Sequence, residues 1–407
     1  MFAPGFAPYN FSENIVNSKL AIAFQNNGWE IHTISRVDEG PLYSTAWQDP
    51  WTPLKESTFT IKYPFGNRWI RLLDLLYQGI KVQFTLEGVR WAGRALDLAM
   101  ELHKRKNFDV VLSRSPNDIG HVPALFFSKK TNIPWIANLN DPPVHFWPAP
   151  YKSEERVLRR TFSRILLSRV IMHANFVTFP STRLRSHTLG PIKKVDDAKA
   201  KTIPHIGLSG YKSKSRKPDG CFRICHAGNL SHERQPKSFF EGISRFVERI
   251  PMSHPFEVLI VGASSHELIT LAETYGIAEH IKISGGLNYL DTLNILEQSD
   301  VLAIVEAPCK EGIFLPSKVT DYAQVGRPIL AVSPINGVLA DLIRQTNAGE
   351  FADCEDPASV ARAITSLYRA WRNGDMKRAY PSAALWEHFR PENIVSQYED
   401  MFFELGL

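Results

Sequence analysis

The sequence predicts an α/β protein of two Rossmann-like, doubly wound domains facing a central cleft. Three observations carry this. At 407 residues the chain exceeds what one ordinary core organises, so two domains of about 150–200 residues each are expected. Near-continuous apolar runs in the second half alternate with helix-patterned segments: FRICHAG (222–228), FEVLIVGAS (256–264), HIKISGG (280–286), DVLAIVEAP (300–308) and RPILAVS (327–333). Strands that are apolar throughout belong to a parallel sheet covered on both faces. Finally, residues 207–220, GLSGYKSKSRKPDG, have almost nothing to bury and read as a linker. The expected division is a domain over 1–206, the linker, a domain over 221–385, and an amphipathic helix in 386–407 that packs back on the first domain.

Composition narrows the function classes. With 44% hydrophobic and 22% charged residues, the chain has the make-up of an ordinary globular protein. A net charge of +5 favours anionic small ligands or an anionic surface, and is too diffuse to argue for nucleic acid. None of the four cysteines has zinc-site spacing, which points to a reduced, cytoplasmic compartment. No stretch reaches the ~18 uncharged apolar residues that span a bilayer. The first fifteen residues hold neither a basic region nor an apolar block, so no signal peptide is expected.

Along the first half, SENIVNSKLAIAFQNNG reads as a helix with Ser12 as N-cap and Gly28 as stop. WEIHTIS, FDVVLSRS, PWIANLND and FVTFPS read as strands, residues 40–67 as irregular loop, and residues 69–106 as helix. The opening FAPGFAPYNFSEN looks like the loop after a central first strand, yet no apolar run precedes it. The expectation is a missing strand of about 5–10 residues upstream, leaving a slot whose neighbours keep unpaired backbone groups. The run ERVLRRTFSRILLSRVI (155–171) carries Arg156, Arg159, Arg160, Arg164 and Arg169, with no acid between the first and last of them. It reads either as a solvated basic surface helix or as one that lies on an anionic bilayer.

Two strand-to-helix passages in the second half have the make-up of anion sites. After the strand that closes at Gly228, a polar loop with Asn229 and Arg234 leads to a helix at Pro236. Helix N–H groups and a guanidinium fork suit phosphate. After DVLAIVEAP, the segment CKEGIFLPSKVTDYAQVG starts a helix at Pro316, where proline is tolerated. The N–H groups of Ser317 and Lys318 would then face a ligand. Lys318 and Asp321, three apart, share a helix face, so one turn offers a cation for phosphate and a carboxylate for a ribose diol. The plainer reading is a capped helix whose Lys318 and Asp321 pair with each other. In the first half, Asp141 precedes Pro142 and Pro143. It reads as a general base, as a group that orients an acceptor, or as a turn cap. There is no metal-ligand spacing, P-loop or G-x-G-x-x-G, and no metal or cofactor is implied.

The order HAGNL, R-x-P-K, EGI, IVGAS, SGGLNYLDTLNILEQSDVLAIVEAP and EGIFLPSKVTDYAQVGRPILAV resembles the C-terminal half of GT-B glycosyltransferases of family four. FAPGFAPYNFSENIVNSKLAIAFQNNGWEIHTIS resembles that family's first βα unit. The resemblance spans nearly the whole chain and is strong over 222–333. It implies a nucleotide-sugar donor site in which Arg234 contacts phosphate six residues after Gly228. Pro316, Ser317 and Lys318 take the PSK form of some bacterial members. Asp321 matches the second of two family glutamates, the one on the ribose. The first position falls on Ile313, with Glu311 two residues early for its place near the transferred sugar. Asn229 stands where the family has an arginine. Ser12, Glu13 and Asn14 match the loop under the donor phosphates and acceptor. Where the family often has a histidine, this chain has Asn140 and Asp141, then His145.

The implied activity is transfer of a sugar from a nucleotide-diphosphate sugar to a glycan or polyprenyl-linked acceptor in envelope polysaccharide synthesis. It would take place in the cytoplasm, against the inner face of the membrane. Family four retains anomeric configuration, whereas Asp141 acting as a base would mean inversion. Two competing readings stand beside it. One is a nucleotide-sugar epimerase of the same architecture. The other is a non-catalytic sugar-nucleotide binder or scaffold, with which the Asn229 and Ile313 departures agree.

Overall fold

The computed structural model describes residues 1–37, 46–62, 67–84, 88–114, 118–143, 146–151, 157–192, 196–213, 219–230, 234, 236–249, 255–262 and 266–407. The chain forms two compact units. One is Met1–Trp147 with Lys152–Ser209 and Pro391–Leu407; the other is Pro148–Tyr151 with Gly210–Arg390. His145 and Arg156 lie outside the described residues.

The first unit runs α1 (Ser12–Asn26), β1 (Thr33–Arg36), β2 (Thr58–Ile61), α2 (Arg68–Val82), α3 (Val89–Lys106), β3 (Val111–Arg114), α4 (His121–Thr131), β4 (Trp135–Asn138), α5 (Val157–His173), β5 (Phe176–Phe179), α6 (Thr182–Leu189) and β6 (Ala200–Thr202). β1 pairs with β2, and β3, β4, β5 and β6 pair in that order, all parallel. Residues 1–3 lie between the two sets, where Phe2 bridges both Ile34 and Ser113 in parallel. Phe2 N donates to Leu112 O at 2.8 Å, and Ala3 N to Ile34 O at 3.0 Å. Arg114 N donates back to Phe2 O, and Ile34 N to Met1 O, each at 2.9 Å.

This corrects the expected empty slot. A three-residue run holds the central position and pairs its neighbours at its carboxyl half. An apolar cavity lies against this run, lined by Met1 and Phe2 together with Phe24, Trp29, Phe108 and Phe402. Two further readings are corrected. β2 falls inside 40–67, read as irregular, because four β-branched and aromatic residues make a weak signal among prolines. The residue at the N-cap of α1 is Phe11, not Ser12, and its side chain caps nothing.

The second unit runs β7 (Phe222–Ala227), α7 (Lys237–Arg249), β8 (Phe256–Val261), α8 (His266–Thr274), β9 (Ile281–Ser284), α9 (Tyr289–Glu297), β10 (Val301–Val305), α10 (Lys318–Val325), β11 (Ile329–Ser333), α11 (Val338–Thr346), β12 (Gly349–Asp353), α12 (Pro357–Arg372), α13 (Met376–Ala379) and α14 (Ala383–Glu387). Its six described strands form one parallel sheet in the order β12-β11-β10-β7-β8-β9. The first strand, β7, therefore lies beside the fourth, β10, and the connections leave them in opposite directions. In open parallel sheets such a reversal parts the loops and leaves a crevice at the carboxyl ends of the strands. The core gathers Phe222, Ile224, Val258, Ile260, Val301 and Ala303 from the sheet with Phe239, Phe240, Ile364 and Tyr368 from α7 and α12.

The last helix, α15 (Pro391–Glu404), belongs to the first unit. Its Ile394, Tyr398 and Phe402 are buried with Leu20 and Phe24 of α1, and the Phe24 and Tyr398 rings meet edge-on at 5.5 Å.

Candidate functional site

At the β7–β10 reversal of the second unit, the chain brings together two cations, a carboxylate and a histidine. The buried His226 lies near the end of β7. Its Nδ1 lies 3.0 Å from Ala303 O, so Nδ1 carries the proton and Nε2 is free to accept. Lys318, the first residue of α10, donates from Nζ to that Nε2 at 3.3 Å. Burial, and then the Lys318 charge, hold His226 well below the usual imidazole range, so it stays neutral. Burial and the neighbouring Arg234 likewise push the Lys318 ammonium well below its ordinary value.

Arg234 reaches Val305 O through Nη1 at 3.4 Å. Glu306, directly after β10, is only 9% exposed, and its Oε2 has no hydrogen-bond partner among the described residues. Burial raises its carboxyl to about 7, against the pull of Arg234 and Lys318. A lysine whose partner is a neutral histidine, an arginine on a carbonyl and an unpartnered acid oxygen make a cluster with unused hydrogen-bonding capacity.

Gly228 is part of this cluster for a stated reason. Its φ of +113° is open to glycine, and a Cβ there would lie 2.8 Å from Lys318 Nζ. Gly228→Ala is expected to cost about 1–2 kcal/mol of stability through the backbone. Displacing the ammonium should also weaken anion binding by about tenfold, a fraction of a charged hydrogen bond. Thermal melting with and without nucleotide measures both, and an unchanged affinity would detach Gly228 from the site.

The other donor-side candidates fall as follows. α10 begins at Lys318 and not at Pro316, whose carbonyl accepts from Val319 N at 3.0 Å while Ser317 takes the N-cap place. Lys318 turns to His226 rather than to Asp321, which corrects the plainer reading of a Lys318–Asp321 pair. Asp321 Oδ1 instead accepts from Tyr289 OH at 2.5 Å. Asn229 and Glu311 are exposed, and Ile313 is buried. The Glu311 loop is pinned by Gly312, whose N–H donates to Asn336 O at 2.8 Å and whose carbonyl accepts from Val338 N at 2.8 Å.

Sequence reasoning passes over His226, Glu306 and Tyr151. Tyr151 OH accepts from Ala307 N at 3.1 Å, and its ring meets Phe314 edge-on at 5.8 Å.

In the first unit, Glu13 on α1 and Asp141 after β4 form a carboxylate pair. Asn140 Nδ2 donates to Glu13 Oε2 at 2.7 Å, and the Arg114 charge acts on the same carboxylate. Burial and then the Glu13 charge push Asp141 up to about 8. Burial raises Glu13 as well. Two near carboxylates do not both ionise cheaply, and the hydrogen bond and the arginine favour charge on Glu13. Asp141 then holds the proton at neutral pH.

Asn14 serves the local structure. Its Nδ2 donates to Phe6 O at 3.0 Å, as Asn17 Nδ2 does to Gly5 O at 2.9 Å, which fastens the 5–9 loop to α1. Ser12 is exposed. Among the described residues no group of three His, Cys, Asp or Glu side chains is placed to hold a metal ion.

Two parallel-sheet units, with titratable clusters at the carboxyl ends of their strands, have the GT-B architecture, and solved structures share that fold. HepE from Anabaena, in complex with UDP and glucose, matches with a TM-score of 0.67 at 14% identity, over 97% of this chain and 96% of its own. Sucrose-phosphate synthase from Thermosynechococcus elongatus gives 0.67 at 14% identity, over 96% of this chain and 93% of its own. The lipopolysaccharide outer core galactosyltransferase WaaB gives 0.54 at 13%, over 97% of each chain. At such identities the likeness is one of fold. No curated protein matches the chain by sequence. Residues 210–383 match the family of glycosyl transferases group 1, so the second unit is a domain of that family and the chain is a glycosyltransferase.

Proposed function

We propose that the chain transfers a sugar from a nucleotide-diphosphate sugar to a glycan or polyprenyl-linked acceptor in envelope polysaccharide synthesis, with retention at the anomeric carbon. The observation that carries this is the Lys318, Arg234 and Glu306 cluster at the strand reversal of the unit that matches the family. The UDP held by HepE makes a uridine donor the first candidate. WaaB, an outer core galactosyltransferase of lipopolysaccharide, supports the envelope assignment.

In this reading Lys318 and Arg234 balance the charge that grows on the leaving diphosphate, from fixed positions that need no reorganisation. The free Glu306 oxygen accepts a hydroxyl of the donor. The first-unit pair Glu13 and Asp141 is assigned to the acceptor. Work on a lipid-linked acceptor would put the protein in the cytoplasm, at the inner face of the membrane, with the basic helix α5 toward it. No helix among the described residues is long and apolar enough to cross a membrane.

Incubation with a panel of nucleoside-diphosphate sugars and candidate acceptors tests the proposal. Transfer with release of the nucleoside diphosphate is expected, and that product should raise the melting temperature, because it binds only the folded state. Binding without turnover of any donor would favour the scaffold reading, and interconversion of donor sugars the epimerase. Asp321→Asn should weaken a ribonucleotide more than its deoxyribose counterpart. Equal losses would leave Asp321 only the role of holding Tyr289.

A further inference from the structure

Helix α2 is turned inside out. Its polar side chains from Asp74 onward face the protein: Asp74 pairs with Arg90 and with Arg94, the latter at 2.9 Å. Lys81 Nζ donates to Gly93 O at 3.0 Å and pairs with Asp97, and Gln78 is buried. Its apolar side chains face outward. Trp69, Leu72, Leu73, Leu76, Tyr77 and Ile80 recur at the spacing of one helical stripe, and they are 73, 43, 66, 53, 64 and 79% exposed. A surface helix of a globular protein packs such a stripe against the core. A contiguous patch left outside marks an interaction surface.

The charge around the stripe identifies what covers it. Arg68 and Arg71 are exposed at the start of α2, and among residues 67–82, all described, the one acid is the half-buried, paired Asp74. α5 reaches the segment just after α2, with Arg169 Cζ 5.1 Å from the centre of the Phe84 ring. Along α5 there is no acid, and Arg159, Arg160 and Arg164 are exposed, together with Val157 and Leu158 at 79 and 75%. Apolar side chains rimmed by arginines, with a Trp and a Tyr among them, match the boundary between lipid chains and anionic headgroups. A second copy of the chain would set one cationic rim against another.

We propose that α2 lies in the headgroup layer of an anionic bilayer, with the Trp69–Ile80 stripe in the lipid and the arginines of α2 and α5 against the phosphates. This surface stands independently of the transfer reading, and its test measures binding alone. The full chain should sediment with vesicles of phosphatidylglycerol and phosphatidylethanolamine, less as salt rises. It should sediment poorly with phosphatidylcholine vesicles. Leu73→Glu combined with Ile80→Glu should weaken sedimentation by about tenfold or more, since two side chains then no longer enter lipid. Both positions are exposed, so melting and nucleotide binding should stay unchanged. Failure of the unsubstituted chain to bind anionic vesicles, or equal binding by the double variant, overturns the proposal. So does a solution dimer that the double variant splits while vesicles are ignored, which would make a second copy the occupant.

Discussion

Lys318→Ala is expected to weaken nucleoside-diphosphate binding by about 10–150-fold, the ~1.5–3 kcal/mol of a hydrogen bond to a charged group. Arg234→Ala should do the same, and the two together should abolish transfer. The magnitude follows from the setting. Lys318 Nζ sits over Gly228 with a neutral imidazole as its partner, and burial and Arg234 hold its pKa well below the ordinary lysine value. A bound diphosphate supplies the missing anion and favours the protonated ammonium. It also repels the ionised form of Glu306, whose carboxyl already titrates near about 7. The Glu306 effect couples binding to proton uptake, so affinity should fall as pH rises through about 7. Titration calorimetry in buffers of different ionisation enthalpy reads that uptake directly. Lys318→Arg is no substitute, because a planar fork does not fit where a glycine backbone lies against the ammonium. Undiminished affinity in both alanine variants would remove the donor site from this strand reversal.

What the sequence makes legible depends on length and burial. β7, β8, β10 and β11 are largely buried on both faces because helices cover both, so their mostly apolar runs stand out even without alternation. β2, β6 and β12 are short and partly exposed, and nothing separates three to five such residues from loop. The central strand of the first unit escapes a reading of the sequence because only Met1, Phe2 and Ala3 mark it.

The proposed donor cluster is half legible. Arg234, Gly228 and Lys318 lie on passages whose turn and helix-start residues announce them. His226 and Glu306 sit at the ends of two apolar strands, and what joins them is that β7 and β10 are neighbours, a strand order that no local pattern prints. The inverted face of α2 is hidden for a similar reason. Its pattern is plainly amphipathic, but the Asp74 and Lys81 partners that decide which side faces inward sit on α3.

Asp141→Ala is expected to lower turnover by about 10²-fold, the cost of a misplaced acceptor, with little change in nucleotide affinity. The sign of the pH dependence decides what Asp141 does. Its carboxyl is pushed up to about 8, so at neutral pH it keeps its proton and can donate a hydrogen bond to an acceptor oxygen. Activity should then fall as pH rises through about 8, where ionisation removes the donor and sets a second charge beside Glu13. Asp141→Asn, which keeps an N–H donor and cannot ionise, should retain most activity and lose that alkaline fall. A general base would show the reverse: a rise through the same pH, and a loss of about 10²–10⁴-fold in the asparagine variant. Stability offers an independent check. A raised acid binds more protons folded than unfolded between its ordinary pKa and its raised one, so its ionisation destabilises the fold progressively from about pH 4 to about pH 8. Asp141→Asn should therefore melt above the unsubstituted chain at about pH 8 and close to it at about pH 4. A melting difference that did not depend on pH would mean that Asp141 titrates alike in the folded and unfolded chain and is ionised at neutral pH. The hydrogen-bond donor would then be lost as an account of its role, and the case for a base, with inversion at the anomeric carbon, would rest on the anomer found in the product.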